Sequence, residues 1–129
     1  MESIFSKIIS KEISAYIIEE TTDYIAFLDV FPLAKGHVLV VPKKQVDYIF
    51  DLDSETYKGL WSFAQQISHR LKRAIPCKRI GIAVIGIEVP HAHIHLLPLQ
   101  SVEDINFSRQ KLKLSDTEMK DIQNAILNS

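Results

Sequence analysis

Five histidines occur in the chain, and three fall within five residues, in the run His91-Ala92-His93-Ile94-His95-Leu96-Leu97-Pro98. Side chains alternate between the two faces of a strand. Read as a strand over Ala92 to Leu97, the run puts the three imidazoles on one face, with alternate residues roughly 6.5–7 Å apart. Ala92, Ile94 and Leu96 then turn to the core. Imidazole changes protonation near neutral pH, so such a row can supply a nucleophile, an acid and an orienting group. A lone strand histidine reads best as a polar surface residue, but three alternating on an apolar strand do not. A metal site is the rival reading, because two histidines spaced by two on a strand are common zinc ligands. A hydrolytic metal site usually adds carboxylates, and the flanking sequence offers only Glu88. The metal-free reading therefore ranks first, and no cofactor is expected.

The elements that must position this row follow from local patterning. Ile4 to Ile9 reads as a short amphipathic helical turn. Ala15 to Glu20 and Asp23 to Asp29 are β-rich runs around Thr21-Thr22, which suggests a hairpin. Pro and Gly punctuate the loop Phe31 to Gly36, and His37 to Val41 is a third strand closed by Pro42. Tyr57, Leu60, Trp61, Ala64, Ile67 and Leu71 share one helical face, predicting a long helix over Ser54 to Ala74 with an Asp53 or Ser54 cap. His69 on that helix reads as a solvated or packing residue. Ile80 to Ile85 is an apolar strand. The capping box Ser115-x-x-Glu118 opens a last helix carrying Met119, Ile122 and Ile126 inward. Strands grouped on either side of one helix predict an α+β domain with a mainly antiparallel sheet.

The 129 residues suit one domain, with a core over about 3–98 and a C-terminal extension over about 99–129. Hydrophobic residues at 47% and charged residues at 24% match a soluble globular chain. Fifteen Lys and Arg against sixteen Asp and Glu leave no basic excess for a nucleic-acid partner. Cys77 is the single cysteine, which excludes an internal disulfide and favours the cytoplasm. The expectation is of no secretion leader and no membrane span. Asn106-Phe107-Ser108 matches a glycosylation sequon without a leader to give it meaning.

The pattern of histidines alternating with apolar residues resembles the signature of the histidine-triad superfamily. The segments Ile4 to Ile9, Ala26-Phe27-Leu28-Asp29, Pro32 and Gly36-His37-Val38-Leu39-Val40-Val41-Pro42-Lys43 are similar to that family too. The likeness spans about residues 3–98. It implies a meander sheet whose protomers pair through the long helix and a central strand as a homodimer. It implies hydrolysis of a nucleoside phosphoramidate or related purine nucleotide at the α-phosphorus. By the same resemblance His93 is the nucleophile, forming a nucleotidyl-histidine, and His95 contacts the phosphate and assists the leaving group. His91 supports the triad, and His37 orients it from the neighbouring strand. Asp29 corresponds to the carboxylate that binds the ribose hydroxyls, and Phe5, Ile8, Phe27 and Leu28 to the base and ribose pocket. On its own chemistry Asp29 is also a turn former before Pro32, His37 a strand-edge residue, and the apolar four ordinary core. Dinucleoside polyphosphate hydrolysis and low-turnover nucleotide binding are the alternative functions.

Two departures from the family stand out. Many members bind structural zinc with an N-terminal Cys-x-x-Cys, a histidine after Pro-Lys, and the first triad histidine. Here Ser3, Ser6 and Gln45 occupy those positions and are poor zinc ligands, so the metal is expected to be absent. The family's Asn- and Gly-rich loop before the triad reads shortened, with Ile87 and Glu88 at its Gln and hydroxyl positions. A negative Glu88 facing the leaving group would favour phosphoramidates over dinucleoside polyphosphates.

Overall fold

A hairpin starts the sheet. Ile17–Glu20 (β1) and Tyr24–Leu28 (β2) pair antiparallel, and Thr21 closes the turn, its N–H donating to the Tyr24 carbonyl at 2.8 Å and its hydroxyl accepting from Tyr24 N at 3.1 Å. The computed structural model describes residues 1–129. Val38–Pro42 (β3), Arg79–Ala83 (β4) and Ile94–Leu99 (β5) complete five strands in the order β1-β2-β3-β5-β4, every neighbouring pair antiparallel. Helices cover Ile4–Ile9 (α1), Ser54–Ala74 (α2) and Asp116–Leu127 (α3), with short 3-10 turns at Ile49–Asp51 and Val102–Ile105. The α+β class and the antiparallel sheet are those the sequence predicts.

The two faces of the sheet carry different cores. Leu60, Phe63, Ala64, Ile67 and Leu71 of α2 are buried, as helical spacing requires of one stripe. They pack with Val38, Val40, Ile94 and Leu96 of the sheet and with Met119, Ile122 and Ile126 of α3. Asp53 caps α2 by accepting from Thr56 N, and the Ser115–Glu118 capping box opens α3. A large-to-small change such as Leu60→Ala in this layer costs about 2–5 kcal/mol. On the other face Phe5 and Ile8 of α1 close a smaller core with Ile25, Phe27, Leu39 and Val41. Strand alternation explains the division: Phe27 and Leu39 face α1, while Leu28 and Val38 face the long helix.

Leu28 is therefore corrected as a pocket residue. It is buried in the large core beside Ala26 and Val38, on the face away from Phe27. The strand predicted at Ile80 to Ile85 ends at Ala83. As β4 it is an edge strand, left partly exposed, with Ile82 and Ile85 open to solvent. No helix is long and apolar enough to cross a membrane.

Candidate active site

The triad departs from a simple strand. The ladder between β3 and β5 pairs Val38 with Leu96 and Val40 with Ile94, so its continuation would set Ala92 opposite Pro42. Proline has no N–H to donate, and the ladder stops there. The Pro42 carbonyl instead accepts from His91 Nε2 at 2.7 Å, and Ala92 N donates to the Val46 carbonyl at 2.7 Å. His91 and His93 thus precede β5, and only His95 lies on it. The alternation survives this: Ala92, Ile94 and Leu96 enter the large core, while the rings of His93 and His95 meet edge to face with centroids 4.8 Å apart.

Hydrogen bonds to main-chain groups assign the tautomers. A carbonyl only accepts and an amide N–H only donates. His93 Nδ1 lies 2.7 Å from the His91 carbonyl, so it carries the proton and leaves a lone pair on Nε2. His91 Nε2 donates to Pro42, so its Nδ1 accepts from the Ser3 hydroxyl at 2.7 Å. Leu33 N donates to His37 Nδ1 at 3.1 Å, leaving the proton on His37 Nε2. That nitrogen lies 2.9 Å from His95 Nδ1 and donates to it, which places the proton of neutral His95 on Nε2. A directed relay results, running from the Leu33 amide through His37 to His95.

Burial keeps the cluster uncharged. His37, His91, His93 and His95 are all below one-tenth exposed. Desolvation penalises the imidazolium and pushes the pKa values of His37 and His95 down to about 3, with the neighbouring histidine and Lys111 adding to the shift. Burial also lowers those of His91 and His93, against an opposing contribution from each one's bond to a carbonyl. Asp29 follows β2, where its N–H donates to the His37 carbonyl at 3.0 Å. Its carboxylate accepts from Phe31 N and lies 3.6 Å from His37 Nε2, and burial raises its pKa.

Asp29, His37 and His95 offer donor atoms close enough together to suggest a cation site. The tautomers argue against it. With Leu33 N–H bound to Nδ1, His37 must keep its proton on Nε2, the nitrogen that faces the other two groups. The zinc positions of the family do not fit a metal either. Ser3 and Ser6 donate, through N and Oγ respectively, to Gln45 Oε1 at 2.9 and 2.6 Å, and Gln45 Nε2 donates to the Met1 carbonyl. Together with the Ser3–His91 bond, this amide and hydroxyl network occupies the donor set that a metal would need.

The structure brings Asp29, His37, His91, His93 and His95 together, with Phe5 set edge-on to His91 and His93 at 5.8 and 4.9 Å. Ile8 and Phe27 lie behind Phe5 in the small core. Glu88 does not join them. The preceding turn, closed by His91 N donating to the Val89 carbonyl, sends Val89 against the small core and leaves Glu88 exposed. No hydrogen bond or ion pair ties its carboxylate to the triad, to Asp29 or to His37. Sequence reasoning missed Leu33, whose contribution is an amide, and Phe107, whose ring packs 4.8 Å from His95. No periodicity marks either one, and the sequon around Phe107 carries no sign of a site.

Fold and cluster together define a small α+β protein built around buried, neutral histidines. The HIT domain model matches residues 10–102. The uncharacterized HIT-like protein of Borreliella burgdorferi is 33% identical over 129 residues, covering 94% of this chain and 93% of its own. Adenosine 5′-monophosphoramidase HNT1 of Saccharomyces cerevisiae is 34% identical over 100 residues, covering 74% of this chain and 61% of its own. The crystal structure of a Hit-like protein involved in cell-cycle regulation from Bartonella henselae superposes with a TM-score of 0.85 at 27% identity, covering 98% and 95% of the two chains. The chain belongs to the HIT family.

Proposed function

We propose that the protein hydrolyses purine nucleoside phosphoramidates or related nucleotides at the α-phosphorus, through a covalent nucleotidyl-histidine on His93. The observation that carries this reading is the free lone pair of His93 Nε2, fixed by the Nδ1–H bond to the His91 carbonyl and kept unprotonated by burial. In the first step Nε2 forms a bond to phosphorus while the bond from phosphorus to the leaving amine breaks. His95 Nε2–H gives that amine its proton, and the negative charge left on His95 is balanced by the positive charge that the His93 ring, still protonated at Nδ1, gains on bonding to phosphorus. In the second step water attacks phosphorus, returns a proton to His95 Nε2, and the P–N bond to His93 breaks to release the nucleoside monophosphate. The His37 relay serves this exchange by holding His95 in the donor tautomer. Asp29 binds the ribose hydroxyls, and Phe5, backed by Ile8 and Phe27, carries the base side. The phosphoramidase name of the yeast relative supports the substrate class.

The working unit in this reading is a homodimer in the cytoplasm, a compartment that suits the single free Cys77. A mainly apolar groove of about 370 Å³ runs between β4 and α2 past His93, lined in part by Tyr48, Phe50, Trp61 and Ile82. Trp61 Nε1 is buried there with no acceptor, a group a second copy could satisfy. The test is mass analysis at neutral pH after brief mixing with adenosine phosphoramidate. It should show a nucleotidyl adduct on His93, with adduct and turnover both lost in His93→Ala. Wild-type turnover by His93→Ala refutes the mechanism.

A further inference from the structure

Neutral histidines leave the charge of a phosphate unanswered, and the loop before the triad, from Val84 to Pro90, carries no cation, its one charged residue being the exposed Glu88. A cation arrives from elsewhere. After the 3-10 turn at Val102–Ile105 the chain folds back across the site as a strap. Asn106 Oδ1 accepts from Ser108 N and Oγ at 3.0 and 2.6 Å, and Leu112 N donates to the Pro32 carbonyl at 2.8 Å, tying the strap to the loop that carries His37. Between these ties Phe107 sets its ring edge-on to His95 at 4.8 Å and to His37 at 6.2 Å. The Lys111 ammonium lies 5.2 Å from the centre of the same ring. Arg109 is occupied by the Glu103 carbonyl and Asp104. Lys111 has no carboxylate partner, and its charge acts on Asp29, His37 and His95 alike.

From this placement we infer that Lys111, held over the Phe107 ring that packs against His95, binds negative charge on the group that leaves the α-phosphorus, so that nucleotides with anionic leaving groups are selected. This rests on the assignment of His93 and His95 given above. The shared chemistry is an oxyanion a few bonds beyond the scissile bond, and it has two sources: the carboxylate of an amino-acid amine, or a phosphate chain.

The experiment compares kcat/KM for an adenosine phosphoramidate of a neutral alkylamine, one of a carboxylate-bearing amine, and a dinucleoside tetraphosphate. Wild type, Lys111→Met and Lys111→Arg are assayed at low and high salt. The wild type should favour at least one anionic substrate over the neutral one by about tenfold at low salt, and high salt should compress that ratio. Lys111→Met should bring the ratio close to one, and Lys111→Arg should keep most of it. The anionic substrate whose ratio collapses identifies the source of the charge. Ratios that survive Lys111→Met for both anionic substrates overturn the inference. If wild type turns over none of the three, the hydrolase reading fails, and Lys111 is then judged by binding. Calorimetric preference for a purine nucleoside triphosphate over the monophosphate should fall about tenfold in Lys111→Met, and an unchanged preference overturns the inference.

Discussion

Acidification should unfold this protein through its buried histidines before the carboxylates titrate. An unfolded histidine takes up a proton near pH 6.5, whereas folded His37 and His95 do so only at about pH 3. Below pH 6.5 the unfolded state therefore binds more protons, and stability rises with pH across the window between 3 and 6.5. The stability is fully present above about pH 7 and is lost as the pH falls. Between pH 7.5 and 5 the loss is set by the unfolded value, because pH 5 is still far above the folded one. Each of the two histidines then costs about 2 kcal/mol over that interval, at about 1.4 kcal/mol per pH unit once protonation of the unfolded chain is under way. The pair together removes about 4 kcal/mol, a large share of an ordinary domain's stability. Urea melts at fixed protein concentration, followed by the fluorescence of Trp61, the only tryptophan, report the change. His37→Gln should lower overall stability and flatten the pH dependence by about half. A wild-type stability that is level from pH 7.5 to 5 would refute buried neutral histidines, and with them the neutral nucleophile.

The hydrogen-bonded replacement of the zinc site predicts far less than one zinc per purified chain and turnover that survives EDTA, whereas the triple change Ser3→Cys, Ser6→Cys, Gln45→His should gain about one zinc by elemental analysis. Gly36 has a φ of +89°, and an added Cβ would stand 3.1 Å from Ile75 and Pro98. Gly36→Ala should therefore cost about 1–3 kcal/mol in urea melts and lower turnover by shifting His37, and an unchanged melt would contradict that geometry. Light scattering should give twice the chain mass, and Ile82→Asp on the open edge strand should halve it; a monomeric wild type rejects the dimer. Glu88→Ser should change the ratio of phosphoramidate to polyphosphate turnover by less than about twofold, and a larger change would mean that its side chain reaches the leaving group.

Legibility in the sequence followed the range of the forces involved. The long helix and its Asp53 cap could be read because helical spacing and capping are local, and the inward Ala92, Ile94 and Leu96 because alternation is local. The early end of the triad strand could not, since it depends on the missing N–H of Pro42, a residue on the partner strand. Likeness to a motif places Leu28 in the pocket, although its position between Phe27 and Asp29 already argues for the opposite face. Ser3, Ser6 and Gln45 were legible as absent metal ligands but not as a closed hydrogen-bond network with His91. Phe107 and Lys111 were hidden for another reason. The chain must turn back after β5 before either meets His95, and no local pattern announces a return of that kind.

The relay begins at a main-chain amide, and this affects which changes the site tolerates. The Leu33 N–H decides which nitrogen of His37 is bare, and so which nitrogen of His95 offers a proton. No side-chain substitution at position 33 alters that instruction except proline, which deletes the amide hydrogen. Leu33→Pro would let His37 carry its proton on Nδ1, reversing the direction of the relay and leaving His95 with its proton on the wrong nitrogen. Every histidine would remain in place. What this loop must conserve for the relay is therefore its backbone path and its length, since one inserted residue would move the amide that gives the site its polarity.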